Sequence, residues 1–108
     1  MKLDRNENDN GRGKYALILL REIQMADGSF PPGVQQALDT LKRVGVLDWG
    51  AAGSDSEFFL IRLKDRHAAT ALYAYARSAE EFGEVEWAKE VRALANTAAT
   101  HPGKKQPD

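Results

Sequence analysis

The chain has 108 residues, of which 43% are hydrophobic, and it contains no cysteine. This length fits one domain that buries a core without cross-links, and the lack of cysteine excludes disulfides, thiolate metal centres and cysteine nucleophiles. The net charge of −1, without a concentrated basic face, disfavours nucleic acid as a partner and leaves it as an alternative.

The longest apolar run, Tyr15–Leu20, is far below the ~20 residues that cross a bilayer. Because the N-terminus also lacks the apolar stretch of a secretory signal, we expect a cytoplasmic protein that does not enter membranes.

The two ends differ in composition from the middle of the chain. Residues 1–13 are polar and have almost nothing to bury, and residues 100–108 combine two prolines with polar residues. Such segments are typical of flexible termini. We therefore predict a flexible arm over residues 1–13, a single α+β domain over residues 14–99 and a flexible tail over residues 100–108.

The first apolar segment is short. Lys14–Arg21 has apolar side chains on both alternating faces, which favours a central β-strand, although its leucines and alanine also suit a buried helix. After a turn, Gly33–Val44 has apolar residues at three- and four-residue steps, which predicts a helix. Gly45 stands where a left-handed residue is expected to end it.

Two further segments predict a β-hairpin. Val46–Trp49 has the pattern of a short strand and Glu57–Lys64 that of a longer one, and the residues between them suit a loop. With Lys14–Arg21 they would form a small, mainly antiparallel sheet of about three strands.

The second half of the chain predicts two helices in an antiparallel hairpin. Asp65 is suited to cap the first helix, apolar stripes follow over Arg66–Phe82 and Glu84–Ala98, and Gly83 interrupts them. So short a break brings the helices side by side. Together with the helix over Gly33–Val44, they predict an α+β fold in which three helices pack on the sheet.

The hairpin's predicted inner faces are rich in alanine, which lets two helix axes approach closely. We expect Leu72, Tyr75, Val91 and Leu94 to be buried between the helices, and Phe82 and Trp87 to fill the wider end. This packing would take up nearly all the apolar side chains of the chain and leave a polar surface for any partner.

The predicted tip of the hairpin is acidic. Its glutamates are Glu80, Glu81, Glu84, Glu86 and Glu90. Such a cluster is usually a solvated surface, and Glu84 and Glu86 also suit a helix N-terminus. The functional alternative is a patch that docks on a basic partner, with Glu80, Glu81, Glu84 and Glu86 as the candidate residues. Two aromatics in loops, Trp49 and Phe30, are further candidates for an interface, or else they cap the core.

An outward stripe on the first hairpin helix supplies the alternative nucleic-acid contact. Arg66, Tyr73 and Arg77 could stack on a base or bind a phosphate, although an Arg77–Glu81 salt bridge would explain part of the stripe. The helix over Gly33–Val44 followed by the predicted β-hairpin would then form a winged-helix-like binder.

The sequence predicts no catalytic, metal or cofactor site. The histidines are His67, at the start of a predicted helix, and His101, in the predicted tail, and neither has an evident orienting group for triad chemistry. An enzyme would have to use carboxylates alone, such as Asp48 with Glu57 across the β-hairpin. A non-enzymatic protein is the stronger prediction.

Several phrases of the sequence occur together: NDNGRGKYAL, VLDWG, EFFLIRLKDRHA, EWAKEV and HPGKKQPD. In these phrases the chain resembles small proteins of unassigned mechanism that bacteriophages and prophages encode. The resemblance implies an origin and no functional residue. With the acidic tip, it predicts a phage accessory protein that binds and modulates a host or phage protein in the bacterial cytoplasm.

Overall fold

The computed structural model describes residues 3, 5 and 14–103. Four helices follow one another in this range: α1 (Leu20–Ile23), α2 (Pro32–Arg43), α3 (Ala68–Glu81) and α4 (Val85–Ala99). No β-strand forms anywhere in these residues, so the predicted α+β fold is wrong and the described chain is helical. Most of the predicted N-terminal arm, and the predicted tail beyond residue 103, lie outside the described residues.

The described chain forms two units, Tyr15–Phe59 and the part that begins at Leu60. In the first unit, α2 begins directly after Pro31, with Pro32 in its first turn, where a fixed φ and a missing N–H cost nothing. It ends as predicted at a left-handed Gly45, with φ of 82°. The N–H groups of Gly45 and Val46 donate to the carbonyls of Lys42 and Leu41, which is the Schellman pattern.

The strand predicted over Lys14–Arg21 is wrong. Residues 15–19 have no regular structure, and the last residues of the segment enter the short helix α1. A strand needs a neighbour to accept its ladder of hydrogen bonds, and the structure supplies none in the described residues. The buried helix considered as the alternative does not form either, because only Leu20 and Arg21 of the segment are helical and α1 has no buried residue.

The β-hairpin predicted from Val46–Trp49 and Glu57–Lys64 is also wrong. Between these segments the backbone bonds to itself: Ser54 N–H donates to the Ala51 carbonyl at 3.0 Å and Glu57 N–H to the Ser54 carbonyl at 3.2 Å. Side chains stabilise the same turns, since the Ser54 hydroxyl also donates to the Ala51 carbonyl at 2.6 Å. Short polar side chains compete in this way with ladder formation, and here the local bonds win.

The second unit contains the predicted helical hairpin, and this prediction is confirmed, because α3 packs against α4. Only three residues separate the helices, and Gly83 among them has φ of 84°. The N–H groups of Gly83 and Glu84 donate to the carbonyls of Glu80 and Ala79 at 3.0 and 2.9 Å. A second Schellman motif therefore ends α3 and turns the chain into α4.

The start of α3 differs from the prediction. The helix begins at Ala68 rather than Arg66, and its N-cap position is His67. The carboxylate of Asp65 accepts the N–H of His67 at 2.7 Å, and its carbonyl accepts the N–H of Ala68 at 3.1 Å. Asp65 thus stabilises a turn that precedes the helix instead of capping it.

The interface between α3 and α4 consists of small side chains. The buried residues of the two helices are Ala68, Ala69, Ala76, Ala79, Ala88, Val91, Ala95 and Ala98. Ile61, Leu63 and Leu72 pack against Ala68, Ala69 and Ala98, which closes one end of the hairpin.

The larger apolar side chains do not follow the prediction. Val91 is buried, Leu72 and Leu94 are half-buried, but Tyr75 is 54% and Phe82 81% exposed. The expectation that packing takes up nearly all the apolar side chains is wrong. The reason is geometric: the interface between the helices is filled by alanines and Val91, so the aromatic neighbours remain at its edges.

None of the helices within residues 14–103 has the length and apolar content required to span a bilayer.

Replacing Gly83 by alanine should lower the free energy of unfolding by about 1–2 kcal/mol, because an L-residue is strained at positive φ. The new Cβ would meet nothing within 4 Å, so the cost is that of the backbone alone. Gly33→Ala is the matched control, since Gly33 lies inside α2, has an equally open surrounding and lacks a positive φ. Urea denaturation that showed equal effects for both variants would contradict the assigned role of Gly83.

Candidate functional site

The two sides of the helical hairpin have different chemistry, and one of them is tied by polar contacts. The hydroxyl of Tyr73 on α3 donates to Oδ1 of Asn96 on α4 in a short hydrogen bond. Nearer the tip, Arg92 on α4 pairs with Glu80 on α3 at 3.3 Å. We call these four residues the polar flank. Their contacts fix the two helices against each other across the alanine interface.

The opposite side is apolar. Tyr75 and Phe82 lie seven residues apart on α3, and Trp87 and Leu94 lie seven apart on α4, so each pair forms a row along its helix. The rings of Tyr75 and Trp87 meet edge to face at 6.5 Å, and the indole N–H donates to the Tyr75 hydroxyl at 3.2 Å. This contact joins the two rows. We call Tyr75, Phe82, Trp87 and Leu94 the apolar flank.

Phe82 occupies the tip itself. It is the C-cap residue of α3, and the Schellman turn that follows fixes its backbone. Its ring is 81% exposed. Beside it, residues 83–87 line an open depression of about 360 Å³ that includes Trp87. A fully formed turn therefore holds an aromatic ring in water next to a concave surface.

Four glutamates lie within four residues of Phe82 in the sequence, and the structure separates them into two kinds. Glu80 pairs with Arg92, and Glu86 with Lys89 at 3.3 Å, both at solvent-exposed positions where such pairs contribute little to stability. Glu81 and Glu84 form no ion pair with any described residue, and the predicted Arg77–Glu81 bridge is not made. Glu90, the remaining glutamate of the predicted cluster, also forms no ion pair with a described residue and is half-buried on α4.

The alternative stripe of Arg66, Tyr73 and Arg77 is not assembled as predicted. Arg66 precedes α3 rather than belonging to it. Tyr73 uses its hydroxyl to hold Asn96, while Arg77 is exposed on the helix. The β-hairpin that would serve as a wing is missing from residues 46–64, so the winged-helix-like architecture is wrong.

The remaining aromatic candidates lie in the first unit. Phe30 is half-buried and Trp49 is 43% exposed. Trp49 precedes a loop that Asp48 organises: its Oδ1 accepts the N–H of Gly50 at 2.8 Å and the hydroxyl of Ser56 at 3.0 Å. The Gly50 amide and the Ser56 hydroxyl lower the pKa of Asp48 below 3.8.

The other carboxylate proposed for chemistry has a similar structural role. Oε1 of Glu57 accepts the N–H of Gly53 at 2.9 Å. Asp48 and Glu57 thus both hold turns of one loop. No group of three His, Asp or Glu side chains within the described residues is arranged to hold a metal ion. Of the histidines, His67 is the N-cap residue of α3, and His101 accepts the N–H of Gly103 at Nδ1.

The exposure of the apolar flank is the feature that sequence reasoning missed. The sequence predicts Tyr75 between the helices and Phe82 at the wider end of the hairpin, whereas the structure exposes both side chains. The better indication was the alanine content beside it, because an interface filled by alanine has no room for an aromatic row.

No family model, curated protein or solved structure matches this chain. The distinctive features of the hairpin are the exposed Phe82, the apolar flank, and Glu81 and Glu84, which form no ion pair with a described residue.

Replacing Tyr73 by phenylalanine should lower the free energy of unfolding by about 1 kcal/mol, the usual net value of one hydrogen bond. Asn96→Ala provides the partner variant for a double-mutant cycle in thermal or urea denaturation. Because each change removes the same bond, the two effects should not add. Full additivity would show that the contact does not couple the helices.

The loop at Asp48 should loosen in acid. A carboxylate whose folded-state pKa is lowered, as that of Asp48 is, stabilises the folded form fully above its ordinary unfolded pKa, and this contribution disappears as the pH falls through the lowered folded value. The Gly50 amide resonance should follow this titration in NMR spectra. Asp48→Asn, which keeps an acceptor oxygen but does not ionise, should abolish the pH dependence. A Gly50 resonance that titrated alike in both proteins would contradict the assignment.

Proposed function

We propose that this chain is a non-enzymatic protein-binding module whose hairpin tip docks on a partner with an apolar pocket and a basic rim. The observation that carries the proposal is the exposure of Phe82 at a turn fixed by hydrogen bonds on both sides. Burying such a ring on binding releases about 25 cal/mol for each Å² of apolar surface removed from water. Aromatic residues are also the type most often found at the energetic centre of interfaces.

Rigidity supports this function. Phe82 follows a 14-residue helix and precedes a 15-residue helix, and its turn is already bonded in the free protein. Binding would therefore order little backbone, which lowers the entropic cost of association. A mobile loop with the same ring would bind more weakly.

Charge supports the choice of partner. Glu81 and Glu84 flank Phe82 in the sequence and form no ion pair with a described residue. Carboxylates at the rim of an interface steer a basic partner and reject an acidic one, with an effect on association rate more than on final affinity. The partner is thus a protein with lysine or arginine side chains around an apolar pocket.

The resemblance to phage-encoded proteins supports a setting for this activity. In that setting the chain is an accessory protein in the bacterial cytoplasm, where it binds and modulates a host or phage protein. A small rigid tip suits such a role, because it can block a partner's binding site by occupying it, without catalysing a reaction.

The test is capture of proteins from bacterial lysate on immobilised full-length chain. Phe82→Ser should lose the captured partner, with at least about a tenfold loss of affinity, as expected for a central interface residue. The double variant Glu81→Lys with Glu84→Lys should slow association and remove its salt dependence. Glu80 and Glu86 are left unchanged because they pair within the chain.

The matched control carries the same change in charge elsewhere. Glu22→Lys with Asp55→Lys alters two exposed carboxylates of the first unit and should leave capture unchanged. If Phe82→Ser and the double variant at the tip captured the same proteins as the unaltered chain, the tip would not be the binding surface.

A further inference from the structure

The apolar flank lacks a covering layer within its own unit. Ile61 and Leu63 cover the end of the hairpin at Ala68, Ala69 and Ala98, whereas Tyr75 and Phe82, farther along α3, remain 54% and 81% exposed. Two helices packed through alanine bury little apolar area. Helical proteins usually complete such a layer with a further pair of helices.

Charge is divided unevenly along the same hairpin. Residues 77–92, at the tip, contain five glutamates against Arg77, Lys89 and Arg92, and Lys89 and Arg92 pair with Glu86 and Glu80. Residues 60–67, at the opposite end, contain Arg62, Lys64 and Arg66 against the single carboxylate of Asp65. Each of these three basic side chains already takes part in an interaction within the chain. The asymmetry is therefore one of net charge along the hairpin and does not depend on unpaired groups.

We propose that the apolar flank is covered by a second copy of this chain, with the two hairpins packed antiparallel around a two-fold axis. In this arrangement the acidic tip of each copy lies against the basic end of the other. A parallel arrangement would place the two net-negative tips together and would be opposed by like charges. The opposite charges of the two ends thus select the second copy as occupant and set its direction.

The flank has the features that a self-complementary surface needs. A two-fold interface uses the same residues on both subunits, and the Tyr75–Trp87 pair lies between Phe82 toward the tip and Leu94 toward the other end. Rows at seven-residue spacing are the ones that interdigitate when helices pack nearly antiparallel. Dimerisation would bury the ring of Phe82, so the inference goes beyond the proposed function: dimer and partner would compete for Phe82.

Sedimentation velocity of the purified full chain tests the dimer without any partner. The unaltered chain should show a monomer–dimer equilibrium that depends on concentration. Tyr75→Glu should raise the dissociation constant at least about tenfold, because it places a charge in the interface centre. Thr70→Glu, at an exposed position on the other side of α3, should leave it unchanged. A chain that stayed monomeric at every concentration, or a dimer insensitive to Tyr75→Glu, would overturn the proposal.

Circular dichroism checks that each variant is folded. If Tyr75→Glu unfolds the hairpin, Ser78→Glu replaces it, since Ser78 is exposed on α3 between Tyr75 and Phe82. Ser78→Glu is then expected to weaken the dimer in the same way, and an unchanged dissociation constant would overturn the proposal.

A charge exchange tests the direction of packing. Two double variants should each weaken self-association. One reverses the charge of the tip (Glu81→Lys with Glu84→Lys), and the other reverses the charge of the opposite end (Lys64→Glu with Arg66→Glu). An equimolar mixture of the two folded variants should dimerise again, because each reversed tip then meets a reversed end. A mixture that stayed monomeric would overturn the antiparallel arrangement. Failure of the dimer would leave capture by the tip intact, so the two proposals fail separately.

Discussion

The close contact of two alanine-lined helices determines the other features of the second unit. Ala76 and Ala79 on α3 and Ala88 and Ala95 on α4 are buried between the helices, and side chains of this size allow the axes to approach. The Schellman turn at Gly83 makes the approach antiparallel. Apart from Val91, which is buried between the helices, the side chains larger than alanine lie at the edges of the contact.

Displacement to the edges produces two unlike flanks. On one side, Tyr73 with Asn96 and Glu80 with Arg92 form contacts between the helices that orient them. On the other, Tyr75 and Trp87 meet, but Phe82 beyond them has nothing to cover it in its own unit. The polar flank therefore links the two helices through side-chain contacts, whereas the apolar flank leaves Phe82 exposed.

Helices α2, α3 and α4 could be predicted from sequence, whereas α1 and the irregular segments could not. Proline at the start of α2, glycine at the end of α2 and α3, and the apolar period of α3 and α4 are local features, and local physics decides them. The strands depended on pairing between distant segments, which no local pattern specifies. At 46–57 the hydrogen bonds of Asp48, Ser54 and Glu57 went to near neighbours instead. Within the candidate site, the acidic tip could be predicted from sequence. The sequence did not indicate which glutamates form ion pairs, or that Phe82 is exposed to solvent.

The three-residue connection between α3 and α4 has a consequence for the rate at which this unit forms. Contacts between the helices join residues that are near in the sequence, so the unit has low contact order, and topologies of this kind reach their native packing in microseconds to milliseconds. Closing so short a loop costs little chain entropy. The hairpin is therefore expected to form before any contacts that join more distant parts of the sequence.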